Sequence, residues 1–138
     1  MKVTPDTNVL VRLIINDDPA QGLAALRILE PAAQVAISVH ALCELVWVLR
    51  SRYGMPGAGI ASAIRALIAA RHVVTDRVAV EAGLAILEDG GDFADGVIAF
   101  EGCRLGGETC VSFDRTAVKR LGAQAIPALL LTSEADAR

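Results

Sequence analysis

The chain has 138 residues, 54% of them hydrophobic, and a formal net charge of −3. That length suits one domain with a proper core, and that apolar content excludes disorder as the dominant state. The mild acidity argues against a nucleic-acid partner unless the acids are concentrated at one place.

No apolar run is long enough for a membrane span. The opening "MKVTPDTNVLVRLII" has no small-residue cleavage site and runs into Asp17 and Asp18, so it does not read as a signal peptide. With no spanning run, no membrane partner is expected. Cys43, Cys103 and Cys110 are odd in number and lack metal spacing, so they are expected to be buried thiols in a reducing cytoplasm.

In chain order, "KVTPD" reads as a first strand, and Asp18 followed by Pro19 opens a helix to about Glu30. "QVAIS" is a second strand. Ser38 caps a long helix ending near Gly54, where "MPG" supplies stop signals. "GIASAIRALIAAR" is a third helix and "HVVT" a short strand; Asp76 opens a fourth helix to about Glu88. "GG" at 90–91 breaks the chain before a fifth helix from about Asp92 to Leu105. "ETCVSF" is a strand, a short helix covers 115–121, and "AIPALLL" is an edge strand because Pro127 lacks a ladder donor. The alternation predicts an α/β domain with a parallel sheet over residues 1–132. A polar tail over 133–138 is expected to fray.

Ligands of such sheets bind beyond the carboxyl ends of strands. Asp6 and Asp114 follow strands, and Asp92 and Asp95 stand three apart at a helix start. The fifth helix continues from those acids into a strip of Ala99, Gly102 and Gly106, most simply a packing surface. Glu44 sits within "ALCELVWVL", where burial without a partner would cost several kcal/mol. His40, Glu44 and Ser51 line up on that helix as a polar stripe. Each acid also has a purely structural role open to it. Asp92 begins a near capping box, Asp114 caps the next helix, and Asp6 suits an Asx-turn. Asp17, Asp18, Asp76 and Glu81 read as caps or solvated positions. The acids together suggest a shared hard cation, Mg²⁺ or Mn²⁺, since His and Cys spacing disfavours zinc.

"DTNVLVRLIINDDP", "ALCELVWVLRSRYG", "GGDFADGVIAF" and "CVSFDR" resemble, in order and spacing, the PIN-domain ribonucleases, particularly the VapC toxins of toxin–antitoxin pairs. The resemblance covers nearly the whole chain and is least distinctive around 55–88. It implies a five-stranded parallel sheet flanked by helices, and a metal-dependent endoribonuclease with an acidic quartet of Asp6, Glu44, Asp95 and Asp114. It places Asp92 near the metal, and makes Thr7 and Asn8 polar neighbours that orient Asp6 or a water. It further implies an RNA substrate, a cognate antitoxin and a homodimer, for which the apolar third and fourth helices would serve.

Two positions depart from the family's pattern. Pro5 removes a donor beside Asp6, and Gly96 stands where alanine is usual, weakening its helix. Arg12, Arg50, Arg52, Arg104, Arg115, Lys119 and Arg120 are candidate phosphate contacts. Without a cation, clustered carboxylates imply at least one raised pKa, and Glu44→Gln is expected to stabilise the metal-free fold.

The rival enzyme is a phosphatase or phosphotransferase with Asp6 as nucleophile, which would prefer a second aspartate where Asn8 stands. The other rivals are a phospho-accepting receiver and a catalytically silent binding module. The receiver lacks its acidic pair and a suitably placed lysine, and the intact quartet opposes the silent module.

Overall fold

Asp18 and Ser38 open helices as their sequence context predicts, each side chain accepting from a backbone N–H three residues on (Gln21 N at 3.1 Å, Ala41 N at 3.0 Å). The computed structural model describes residues 1–133. Apart from Ser133, the tail expected to fray lies outside the described residues. Two compact units follow one another, Met1–Arg77 and the chain from Val78 onward.

The first unit has strands β1 (Lys2–Val3), β2 (Gln34–Ala36) and β3 (Val73–Val74) in parallel order β1-β2-β3. Register pairs Val3 with Val35 and Val35 with Val73. Helices α1 (Thr7–Ile14), α2 (Pro19–Leu29), α3 (Val39–Ser51) and α4 (Gly57–Ala69) pack around them. α1 is absent from the sequence reading. Half of its "VLVRLI" is β-branched and weak in helix propensity, but Asp6 caps it and Leu10 and Val11 are buried, so packing outweighs propensity. Arg12 of α1 binds Asp17 (2.7 Å) and Gln21 (2.7 Å), while the Tyr53 hydroxyl donates to Asp17 (2.9 Å). The Tyr53 bond, and then the Arg12 charge, hold the Asp17 carboxyl below its ordinary range.

The second unit has α5 (Arg77–Glu88, its first residue belonging to the first unit), α6 (Phe93–Arg104), β4 (Cys110–Ser112), α7 (Arg115–Ala123) and β5 (Ala128–Leu130). β4 and β5 are parallel, with Val111 opposite Leu129. Ile86, Ala99 and Leu121 form a buried cluster under Cys110, Ile126 and Ala128. The mixed α/β class and the parallel pairing of five strands agree with expectation; their division into three- and two-stranded sheets was not foreseen. Among the described residues no helix is long and apolar enough to cross a membrane.

Two expectations need correction. The apolarity of α4 and α5 is spent inside the chain, since Ile60, Ile64 and Ile68 of α4 and Val80, Leu84 and Leu87 of α5 are buried. That surplus therefore needs no partner subunit to account for it. Cys103 is exposed, while Cys43 and Cys110 are only partly buried.

α7 runs two residues past its predicted end and closes with Ile126 N donating to Leu121 O (2.9 Å) and Ala125 N to Gly122 O (3.0 Å). Ala125 carries this turn at φ 59°, a left-handed conformation that disfavours a Cβ. Ala125→Gly is expected to stabilise the protein by about 0.5–1 kcal/mol, read as a higher urea midpoint at unchanged slope.

Candidate functional site

The first unit presents Asp6 and Glu44. Asp6 stands at the carboxyl end of β1 and caps α1 with an extended backbone, its Oδ1 accepting from Val9 N at 3.1 Å. The Asx-turn alternative is thus realised as a helix cap. Pro5 is buried and leaves this cap geometry undisturbed. Asp6 and Asn8 open onto a cleft of about 450 Å³, bordered also by Arg12, Gln21 and Ile28.

Glu44 is exposed, with 52% of its side chain open to solvent, so the burial cost expected of it does not arise. α3 buries Ala41, Leu42, Leu45, Val46 and Leu49 and turns Glu44 to the other side. Both Glu44 oxygens are engaged, Oε1 with His40 Nε2 (2.6 Å) and Oε2 by the Thr7 hydroxyl (3.0 Å). Thr7 therefore orients Glu44 rather than Asp6. The i,i+4 spacing of His40 and Glu44 was visible in sequence; that it is a bonded pair comes from the geometry. With no burial to relieve, Glu44→Gln is expected to leave metal-free stability within about 0.5 kcal/mol of wild type by denaturant melting, in place of the stabilisation anticipated from sequence.

The second unit presents three aspartates. Asp92 caps α6, its Oδ1 accepting from Ala94 N (3.3 Å). Asp114 follows β4 and caps α7, its Oδ1 accepting from Ala117 N (3.1 Å), while its own N–H donates to Ser112 Oγ (3.0 Å). Both capping alternatives are therefore real, and each cap commits only one carboxylate oxygen. Asp95, in the first turn of α6, is partly buried and accepts no hydrogen bond from any described residue. A helix N-terminus favours the carboxylate there. Burial outweighs it, and the charges of Asp92 and Asp114 add to the effect, pushing the Asp95 pKa above its ordinary value. This is the raised carboxyl that an acidic cluster implies.

The placement of Asp95 depends on two glycines. Phe93 is fully buried with its ring over Gly83 of α5, where a Cβ would stand 2.6 Å from Cδ2 and Cε2. A Cβ on Gly96 would meet the Ala82 carbonyl group, 2.9 Å from its carbon, and stand 3.0 Å from Gly83 Cα. The tight contact of α6 is therefore at Gly96, whereas a Cβ at Gly102 or Gly106 would meet nothing within 4 Å.

Of the candidate phosphate contacts, Arg12 is occupied by Asp17 and Gln21, Arg120 donates to the Asp89 carbonyl, and Arg104 stacks 4.8 Å over the Phe100 ring. Among the described residues no three or more His, Cys, Asp or Glu side chains stand together as a ready metal cage. The donor chemistry nonetheless fits a hard cation. Asp6, Asp92 and Asp114 each keep an oxygen that bonds no described residue, and Asp95 keeps both.

No curated protein matches the chain. The PIN domain profile matches residues 3–123, a span that contains Asp6, Glu44, Asp92, Asp95 and Asp114. The chain accordingly belongs to the PIN domain family, a nuclease fold.

Proposed function

We propose that the chain is an endoribonuclease dependent on Mg²⁺ or Mn²⁺, acting in the cytoplasm as the toxin of a toxin–antitoxin pair and restrained by a cognate antitoxin. In this reading residues 1–132 work as one nuclease domain, and the chain is a homodimer. One observation carries the catalytic part: Asp95 is a partly buried carboxylate with no donor among the described residues, raised by burial and by two neighbouring acids. A fold gains nothing from such a group, and perturbed carboxylates of this kind mark functional sites. The order and spacing of the four motifs support the toxin assignment.

Asp6, Glu44, Asp95 and Asp114 serve the same reaction, with Asp92 in support, and all five are the residues that would hold the cation. When bound, a divalent cation supplies charge neutralisation at the phosphate and acidifies water. Asp95 accepts the proton of the attacking water at a carboxylate oxygen, a role that a raised pKa favours. The Asp6, Asp92 and Asp114 caps hold their carboxylates in fixed orientations at three helix starts. His40 and Thr7 fix the two oxygens of Glu44.

The test is cleavage of tRNA and rRNA by purified protein. Activity should require Mg²⁺ or Mn²⁺, stop on chelation, and vanish in Asp6→Asn, which keeps the helix cap because asparagine caps as well as aspartate. Absence of cleavage at full metal occupancy would reject the nuclease reading. A single species of monomer mass in the analytical ultracentrifuge at micromolar concentration would reject the homodimer.

A further inference from the structure

Residues 40, 44, 47 and 51 of α3 recur at helical spacings of four, three and four, so they share one stripe. Three of them, His40, Glu44 and Ser51, are polar. The fourth is Trp47, the one tryptophan of the chain, and 63% of it is exposed. An indole contributes most to stability when buried, yet here α3 buries five smaller apolar residues and leaves its largest side chain in water.

We infer that Trp47 is a stacking platform for a base of the RNA substrate; this rests on the endoribonuclease reading above. Trp47 lies one turn from Glu44, about 4.5 Å of helical rise, which is the scale of one base step along a strand. Helical side chains lean toward the N-terminus, so the indole leans toward the turn that carries Glu44. Glu44 in turn is held by Thr7, the residue after Asp6. A strand delivered to these acids therefore passes beside Trp47. A protein partner would call for a contiguous apolar patch, whereas Trp47 is a single flat ring within a polar stripe. One π-face among hydrogen-bonding groups matches an unpaired nucleobase, and aromatic stacking of that kind is tolerant of base identity.

The experiment compares steady-state cleavage of an unstructured single-stranded RNA by wild type, Trp47→Ala, Trp47→Leu and Trp47→Phe. Loss of one stacked base should raise KM by roughly 5- to 150-fold in Trp47→Ala, with kcat little changed. Trp47→Phe should recover most of the loss, and Trp47→Leu, which keeps apolar area without a π-face, should not. Because Trp47 is the sole tryptophan, its emission should also be quenched on rapid mixing with RNA, before cleavage. An unchanged KM in Trp47→Ala, or Trp47→Leu performing as well as Trp47→Phe, overturns the inference while leaving the nuclease reading intact. Emission that shifts with protein concentration alone would instead assign the indole to contact between copies and overturn it equally. If wild type cleaves no RNA, the nuclease reading falls and the stacking role falls with it.

Discussion

Asp95→Asn is expected to lower RNA cleavage by roughly 10²- to 10⁴-fold, the usual worth of a general base, and to raise the melting temperature of the metal-free protein at neutral pH. Both effects have the same origin. Folding moves the Asp95 carboxyl into a partly buried position beside Asp92 and Asp114, and its pKa rises above the ordinary 3.8. A carboxyl with a raised folded-state pKa favours folding while it is protonated, below 3.8. That contribution is lost as pH rises through the folded-state value, because the native state must then carry a disfavoured charge. Asparagine carries none. Wild type and Asp95→Asn should therefore melt alike in strong acid, and the variant should pull ahead as pH is raised in the presence of chelator. Adding Mg²⁺ should narrow the gap by stabilising wild type more. Full cleavage by Asp95→Asn would remove Asp95 from the chemistry, and a variant that melts below wild type at neutral pH would mean its carboxylate is satisfied in solution.

Asp92→Asn gives an internal check on this account. It keeps the cap on α6, since asparagine accepts from Ala94 N as aspartate does, but removes one of the two charges acting on Asp95. The pH at which wild-type stability turns down should move toward the ordinary carboxylate range.

Residues that act locally were legible in the sequence. Asp18, Ser38 and Asp92 each announce a helix through short-range capping chemistry, and each caps where expected. α6 was placed to within a residue at both ends because its Gly-Gly break and acidic start are local signals. Features set by packing were not legible. α1 was not read at all: half of "VLVRLI" is β-branched and weak in helix propensity, and the Asp6 cap together with the burial of Leu10 and Val11 secures it. Glu44 was legible as part of a polar stripe with His40 and Ser51 inside an apolar stretch; that this stripe faces solvent, with Glu44 bonded to His40 and Thr7, depended on how α3 packs. The acids were legible as residue types suited to a cation. Which of them would be raised depended on burial and on side-chain placement, neither of which is local information.

Gly96 is where local and tertiary reasoning predict opposite signs, so Gly96→Ala decides between them. Helix propensity alone says alanine should stabilise α6 by about 1 kcal/mol. The structure says the new Cβ would press on the Ala82 carbonyl group and stand 3.0 Å from Gly83 Cα. These are backbone atoms of α5, which cannot rotate aside as a flexible side chain would. α5 cannot readily retreat either, because Gly83 already receives the Phe93 ring and Ala79, Val80, Leu84 and Leu87 are buried beside it. Overpacking of this kind costs about 1–3 kcal/mol, with the upper end apt for a clash with backbone, so the net sign should be destabilising. Asp95 is the neighbouring residue, and a shift of α6 displaces the carboxylate proposed as base, so kcat should fall with stability. Gly102→Ala supplies the matched control on the same helix. A Cβ there meets nothing within 4 Å, so propensity acts unopposed and the variant should melt at or above wild type. If both alanine variants stabilise the protein, α5 and α6 are not locked as described, and the position of Asp95 owes nothing to Gly96.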